Sequence, residues 1–144
     1  MNPDVKREIM LDNYQNPFNK ETKGEGFVCA NGNNISCIDD INVYIKLNGE
    51  VIEEAYFDGE ACAISTSSTS IMLKNVIGKT VSEALIYADN FEKMVNEEEY
   101  ENDNLGEAIV YDEIYKQASR KNCATLPYSA LRKAIKAAQE NMSK

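Results

Sequence analysis

The 144-residue sequence contains no histidine. This absence excludes Ser-His and Cys-His dyads, metal sites built on imidazole, and an imidazole general base near neutral pH. A bound metal ion would have to be held by thiolate, carboxylate or backbone groups. A cysteine hydrolase is disfavoured as well, because no histidine could activate its nucleophile.

Long apolar runs, glycine and proline are also scarce. No run approaches the roughly 20 apolar residues of a membrane helix, and the first eight residues lack the apolar stretch of a signal peptide. The chain has 7 glycines and 3 prolines, whereas 43% of its residues are hydrophobic. That composition indicates a packed core rather than a disordered or fibrous chain. We therefore expect a soluble, cytoplasmic protein with a single domain over residues 1–144.

Charge is distributed unevenly along the chain. The net charge of −9 disfavours general binding to nucleic acid or to an anionic membrane. Residues 92–113 carry nine carboxylates and one lysine, whereas residues 114–144 carry seven basic residues and one glutamate. Two interpretations stay open: a solvated acidic connector followed by a solvated basic helix face, or docking to a complementary partner.

The hydrophobic pattern predicts an α+β fold. Apolar residues alternate along 39–47, and Asn48-Gly49 is typical of a hairpin turn before a return strand at 51–58. A three-residue loop would pair Ile45 with Val51, whereas a two-residue loop would pair it with Ile52. Further strand and helix predictions are a strand at 27–30, a turn at 31–34, and helices at 3–16, 62–77, 80–95, 105–118 and about 125–141. We expect a small antiparallel sheet of about three strands, with the central hairpin at 39–58, packed against helices.

Two of these helices have predicted N-terminal caps. Thr80 with Glu83 three residues later forms a capping-box pattern for the helix at 80–95. Thr125 is the predicted cap of the last helix, with Pro127 tolerated in its first turn.

The four cysteines are Cys29, Cys37, Cys62 and Cys123. In a reducing cytoplasm they point to metal binding, redox chemistry or burial rather than to disulfides. Cys37 and Asp39 share one side of the first hairpin strand, and Cys62 lies just beyond the second, so the hairpin brings all three to one end of the sheet. Cys62 also begins a helix, where free N–H groups favour a thiolate, and Cys123 lies just ahead of the last predicted helix.

Three thiolates and one carboxylate suit a tetrahedral zinc ion or the edge of an iron–sulfur cluster. The alternative is that the cysteines are small buried hydrophobes, since no CxxC pair occurs. We interpret Cys29, in the middle of a predicted strand, as such a structural cysteine. The hydroxyl run 65–70 is likewise interpreted as structural, bonding to the preceding turn or permitting close helix packing.

Three segments around these cysteines resemble the cysteine motifs of the U-type iron–sulfur assembly proteins, which include IscU, the N-terminal part of NifU, and SufU. They are Ser-Cys-Ile-Asp at 36–39, Phe-Asp-Gly-Glu-Ala-Cys-Ala-Ile-Ser at 57–65 and Asn-Cys-Ala-Thr-Leu at 122–126. Residues 14–19 and 78–85 match as well, so the resemblance covers nearly the whole chain. It implies a SufE/IscU-like fold.

The SufU branch of that family fits best. About twenty residues before Cys123 are absent from IscU-type proteins, Asn122 replaces the IscU histidine, and Arg120 matches an arginine typical of SufU-like proteins. One departure is Ile38, which stands where the family usually has the glycine of Cys-Gly-Asp.

The resemblance implies a sulfurtransferase role: taking persulfide sulfur from a SufS-like cysteine desulfurase and relaying it to a downstream cluster scaffold. Its implied zinc ligands are Cys37, Asp39, Cys62 and Cys123, with Cys123 as persulfide acceptor and Arg120 in support. One alternative is a scaffold that assembles a [2Fe–2S] cluster, or binds iron, on the same side chains. Another is a structural-zinc module that binds proteins through residues 92–113, in which Cys123→Ala would damage folding rather than sulfur transfer.

Overall fold

The computed structural model describes residues 2–34 and 38–142, apart from the side chain of Met142. Those residues form α1 (Pro3–Gln15), β1 (Val28–Asn33), β2 (Asp40–Asn48), β3 (Val51–Glu60), α2 (Ala63–Val76), α3 (Val81–Val95), two 3-10 helices (Gly106–Tyr111 and Ile114–Lys116) and α4 (Ala118–Met142). The strands form an antiparallel sheet in the order β1-β2-β3, and α2 and α4 pack against it. This arrangement confirms the predicted α+β fold. In the described part of the chain, no helix has the length and apolar character needed to cross a membrane.

The β2–β3 hairpin carries the core side of the sheet. Ile41, Val43 and Ile45 are fully buried, as the alternating pattern predicts. Both predicted registers are wrong, because Ile45 pairs with Ala55. The turn occupies residues 49–50, one position later than expected, and an irregularity after Lys46 shifts the pairing again.

The predicted turn at 31–34 is also wrong, because β1 continues to Asn33. The Asn31 side-chain amide donates to Asp40 and Asn42 across the strand pair, which stabilises this polar stretch as strand. Gly32 lies beneath α4, where an added Cβ would be 3.3 Å from both the Ala130 Cβ and the Leu126 carbonyl oxygen. The glycine therefore permits close packing of α4 on the sheet.

Helix α3 matches its prediction, whereas α4 does not. Thr80 caps α3 and forms the capping box with Glu83. Helix α4 begins at Ala118, seven residues before the predicted start, so Thr125 and Pro127 lie inside it. The Thr125 hydroxyl donates back to the carbonyls of Lys121 and Asn122 instead of capping a helix.

The expected helix at 105–118 is replaced by two 3-10 helices and the first residue of α4. The run Ile109-Val110-Tyr111 in its middle consists of β-branched and aromatic residues, which lower helix propensity.

The acidic segment 92–113 is partly neutralised within the fold. Four of its carboxylates form ion pairs with basic side chains: Asp112 and Glu113 with Lys6 of α1, Glu107 with Lys74 of α2, and Glu92 with Arg132 of α4. Residues 97–99 are exposed. Part of the segment is therefore held against the helices by ion pairs, and part of it is exposed to solvent. Its docking to a partner stays a prediction.

Candidate metal site

Asp39, Cys62 and Cys123 converge at one end of the sheet, with their candidate ligand atoms all within 4.8 Å of one another. Asp39 directly precedes β2, Cys62 is the N-cap of α2, and Cys123 lies in the second turn of α4. Cys37, the fourth predicted ligand, lies outside the described residues. Ligand atoms of a tetrahedral zinc site are separated by about 3.8 Å when Zn–S is about 2.3 Å. The Cys62 Sγ to Asp39 Oδ2 distance is 3.8 Å, so these side chains fit a single ion.

Asp39 is 2% exposed, and both of its oxygens accept hydrogen bonds. Oδ1 accepts from the Cys62 backbone N–H at 2.7 Å, and Oδ2 accepts from the Ser65 hydroxyl at 2.5 Å. Burial on its own would raise the pKa of this carboxyl, but the bonds from Ser65 and from the Cys62 N–H and the two thiols lower it below its ordinary value. The carboxylate is therefore ionised and oriented, as a ligand for a cation needs to be.

The chain positions Cys62 through a sharp transition from β3 to α2. Gly59 has φ +112°, and a Cβ there would lie 2.0 Å from the Asp40 carbonyl oxygen, so only glycine allows the strands to close beside Asp39. Cys62 then caps α2, and its Sγ accepts from the Ser65 N–H at 3.4 Å. The predicted placement of this thiol at a helix start is confirmed.

Cys123 is as buried as Asp39, with 2% of its surface exposed. Burial raises the pKa of its thiol to about 12, and the hydrogen bonds and electrostatic interactions with Asp39 and Cys62 act in the same direction. Its Sγ lies 3.7 Å from the Ser119 carbonyl oxygen. Without a metal ion, this thiol is therefore protonated and shielded from solvent.

Arg120 and Cys29, which the sequence analysis also singled out, are both exposed. Arg120 is exposed at the start of α4, three residues before Cys123. Cys29 is exposed on β1, so its interpretation as a buried structural cysteine is wrong. The reason is strand alternation: Val28 and Ala30 are half-buried, whereas Cys29 pairs with Tyr44 on the other face.

Sequence reasoning missed Ser65 as part of the site. All six side chains of the hydroxyl run 65–70 are buried, and those of Thr66, Ser67 and Thr69 bond to carbonyls of the preceding turn as predicted. Ser65 differs because its hydroxyl contacts a candidate ligand, Asp39. The signal available in the sequence was its position three residues after Cys62, where a helix N-cap reaches the N3 residue.

A cavity of about 610 Å³ adjoins the cluster. It is lined by residues from α1, the loop after it, the approach to β2, the end of β3 and the start of α2: Tyr14, Gln15, Pro17, Lys20, Ile38, Gly59, Glu60, Ala61 and Thr66. Ile38, the departure from the family glycine, is 68% exposed and adds apolar surface at the rim.

The chain matches the NifU-like N terminal domain family over residues 5–124. It is 35% identical over 130 residues to the zinc-dependent sulfurtransferase SufU of Bacillus subtilis, covering 90% of this chain and 88% of that protein. It is 33% identical over 132 residues to the iron–sulfur cluster assembly scaffold protein IscU of Thermotoga maritima, covering 90% and 91%. The crystal structure of FiSufU from Fervidobacterium islandicum superimposes with a TM-score of 0.85 at 30% identity, covering 89% and 94%. These matches confirm the predicted resemblance: the chain belongs to the NifU-like N-terminal domain family of iron–sulfur cluster assembly proteins.

Proposed function

We propose that this protein is a zinc-dependent sulfur acceptor, which takes persulfide sulfur from a SufS-like cysteine desulfurase and passes it to a downstream cluster scaffold. The observation that carries the proposal is the convergence of one carboxylate and two thiols within 4.8 Å, in a chain that has no histidine to serve as a ligand. Similarity to the zinc-dependent sulfurtransferase SufU supports it. Cys37 is the proposed fourth ligand.

Zinc, when bound by these residues, would keep the thiols deprotonated at neutral pH. In the proposed transfer, the Cys123 thiolate attacks the outer sulfur of the desulfurase persulfide. A new S–S bond forms on Cys123, the S–S bond of the desulfurase breaks, and its electron pair leaves on the desulfurase cysteine as a thiolate. Because Cys123 is buried, the partner has to open the site before this attack, and exposed Arg120 is the proposed aid to that encounter.

Elemental analysis of protein purified without added metal tests the proposal first. We expect about one zinc ion per chain and no visible absorption. Single-turnover transfer from a persulfide-loaded SufS-like desulfurase should then label the wild-type chain, and Cys123→Ala should accept no sulfur. Cys29→Ala, which changes an exposed cysteine outside the site, is the matched control and should accept sulfur normally.

Similarity to IscU of Thermotoga maritima, a cluster assembly scaffold protein, favours a second candidate. In that function the same side chains would hold a [2Fe–2S] cluster during its assembly. Iron with matching acid-labile sulfide and visible absorption would support the scaffold and overturn the zinc-dependent acceptor. A folding defect in Cys123→Ala with unchanged sulfur transfer would instead favour a structural-zinc module.

A further inference from the structure

We infer that Ser65 is a positioning residue, which orients the Asp39 carboxylate for the metal ion. The inference rests on the proposed metal site. The Ser65 side chain is fully buried, and its Oγ lies 2.5 Å from Asp39 Oδ2 and 3.0 Å from the Cys123 carbonyl oxygen. It is also 3.6 Å from Cys62 Sγ, so one hydroxyl contacts residues from all three elements of the site.

Pro127 explains why the Cys123 carbonyl is available to Ser65. In an α-helix, this carbonyl would accept a hydrogen bond from the N–H four residues later. That residue is Pro127, which has no N–H. Ser65 lies where it can supply the missing donor from the neighbouring helix α2.

The Ser65 hydroxyl has a single proton, so it cannot donate to Asp39 and to the Cys123 carbonyl at the same time. An ionised carboxylate is the stronger acceptor, and its contact is also the shorter of the two. Without the Ser65 hydroxyl, Oδ2 of Asp39 would lose its hydroxyl donor. The hydrogen bond from the Cys62 N–H to Oδ1 would remain. Hydrogen-bond partners of metal ligands are typically worth about 10–100-fold in metal affinity.

Ser65→Ala and Ser68→Ala form a matched pair for testing this role. Both serines are fully buried on α2 and lie within hydrogen-bond distance of a carbonyl of α4, Ser68 donating to Ala124 at 2.6 Å. Zinc affinity is measured by competition with a chromophoric chelator. Ser65→Ala should bind zinc about 10–100-fold more weakly than the wild type. Ser68→Ala should keep the wild-type affinity, and an equal loss in both variants would overturn the inference.

The double variant Ser65→Ala/Pro127→Ala separates orientation of Asp39 from simple pairing of a carbonyl. Alanine at 127 restores an N–H four residues after Cys123, so the Cys123 carbonyl regains a helical donor. We expect the melting temperature of the metal-free protein to rise relative to Ser65→Ala while the zinc affinity stays low. Recovery of wild-type affinity would overturn the inference. If Ser65→Ala does not fold, the double variant is compared with Pro127→Ala alone.

Cobalt substitution supplies a readout that a merely structural serine would not change. The visible bands of Co²⁺ depend on its ligands, so Ser65→Ala should shift them if the Asp39 oxygen is displaced. Ser68→Ala should reproduce the wild-type spectrum. A wild-type protein that binds neither zinc nor cobalt would refute the proposed function itself. Wild-type binding with an identical spectrum and affinity in Ser65→Ala would refute the role of Ser65 alone.

Discussion

At the scale of single residues, the site holds two neighbouring acids in opposite protonation states. Hydrogen bonds lower the pKa of Asp39 despite its burial, whereas burial and the charge beside it raise the pKa of Cys123. The metal-free protein therefore presents an anionic carboxylate next to a neutral thiol. A metal ion that binds here has to displace the Cys123 proton, so its affinity should increase with pH.

The raised pKa of Cys123 predicts an alkaline loss of stability in the metal-free protein. A thiol whose pKa is higher in the folded than in the unfolded state stabilises the fold fully below the unfolded pKa and progressively less above it. The free energy of unfolding should therefore fall as the pH rises above about 8.5. Urea unfolding with chelator and reductant, from about pH 7 to 10, measures this fall.

Cys123→Ala is the control for that measurement, because it removes this thiol and leaves every other titrating group in place. The difference in unfolding free energy between the wild type and the variant should narrow or reverse with rising pH. Buried tyrosines such as Tyr87 also titrate late, but they affect both proteins alike. Parallel pH profiles would contradict the assignment of a raised pKa to Cys123.

At the scale of secondary structure elements, the features that depend on residues close together in the sequence were predictable. The α3 cap was predictable because Thr80 and Glu83 satisfy each other within one turn. The start of α4 was not, because Thr125 and Pro127 are typical of a helix start and yet lie inside α4. Similarly, the hairpin was predictable from the alternation of apolar and polar residues. Its register was not, because it depends on an irregularity after Lys46 for which the sequence has no signal.

Two threonine variants compare a threonine that caps a helix with one that lies inside a helix. Thr80→Ala removes a helix cap and should lower the free energy of unfolding by about 1 kcal/mol. Thr125→Ala removes a hydroxyl that only bonds back to carbonyls within α4, so its effect should be clearly smaller. Chemical denaturation of both variants at one pH gives the comparison, and a larger loss in Thr125→Ala would contradict the observed start of α4.

At the scale of the whole molecule, the candidate site joins parts of the chain that are distant in sequence. Asp39 precedes β2, Cys62 caps α2 and Cys123 lies in α4, so the site requires the complete α+β arrangement. From the sequence, the hairpin placed Asp39 and Cys62 at one end of the sheet, and the motif resemblance added Cys123 to them. It could not predict the burial of Cys123, which follows from the packing of α4 on α2 and the sheet.

A metal ion bound by Asp39, Cys62 and Cys123 should stabilise the folded state, because the unfolded chain does not hold these three side chains together. By mass action, free zinc at about 100 times its dissociation constant adds about 2.7 kcal/mol. For a chain of this size, that corresponds to a rise of about 5–10 °C in melting temperature. Calorimetry of chelator-treated and zinc-loaded protein measures the rise.

Asp39→Ala and Cys29→Ala separate this stabilisation from nonspecific effects of zinc. Asp39→Ala removes one of the candidate ligands, so zinc should raise its melting temperature less than that of the wild type. Cys29 is exposed on β1, outside the candidate site, so Cys29→Ala should show the full rise. An undiminished rise in Asp39→Ala would mean that the carboxylate does not hold the ion. A rise lost in Cys29→Ala would instead place the stabilising ion on β1.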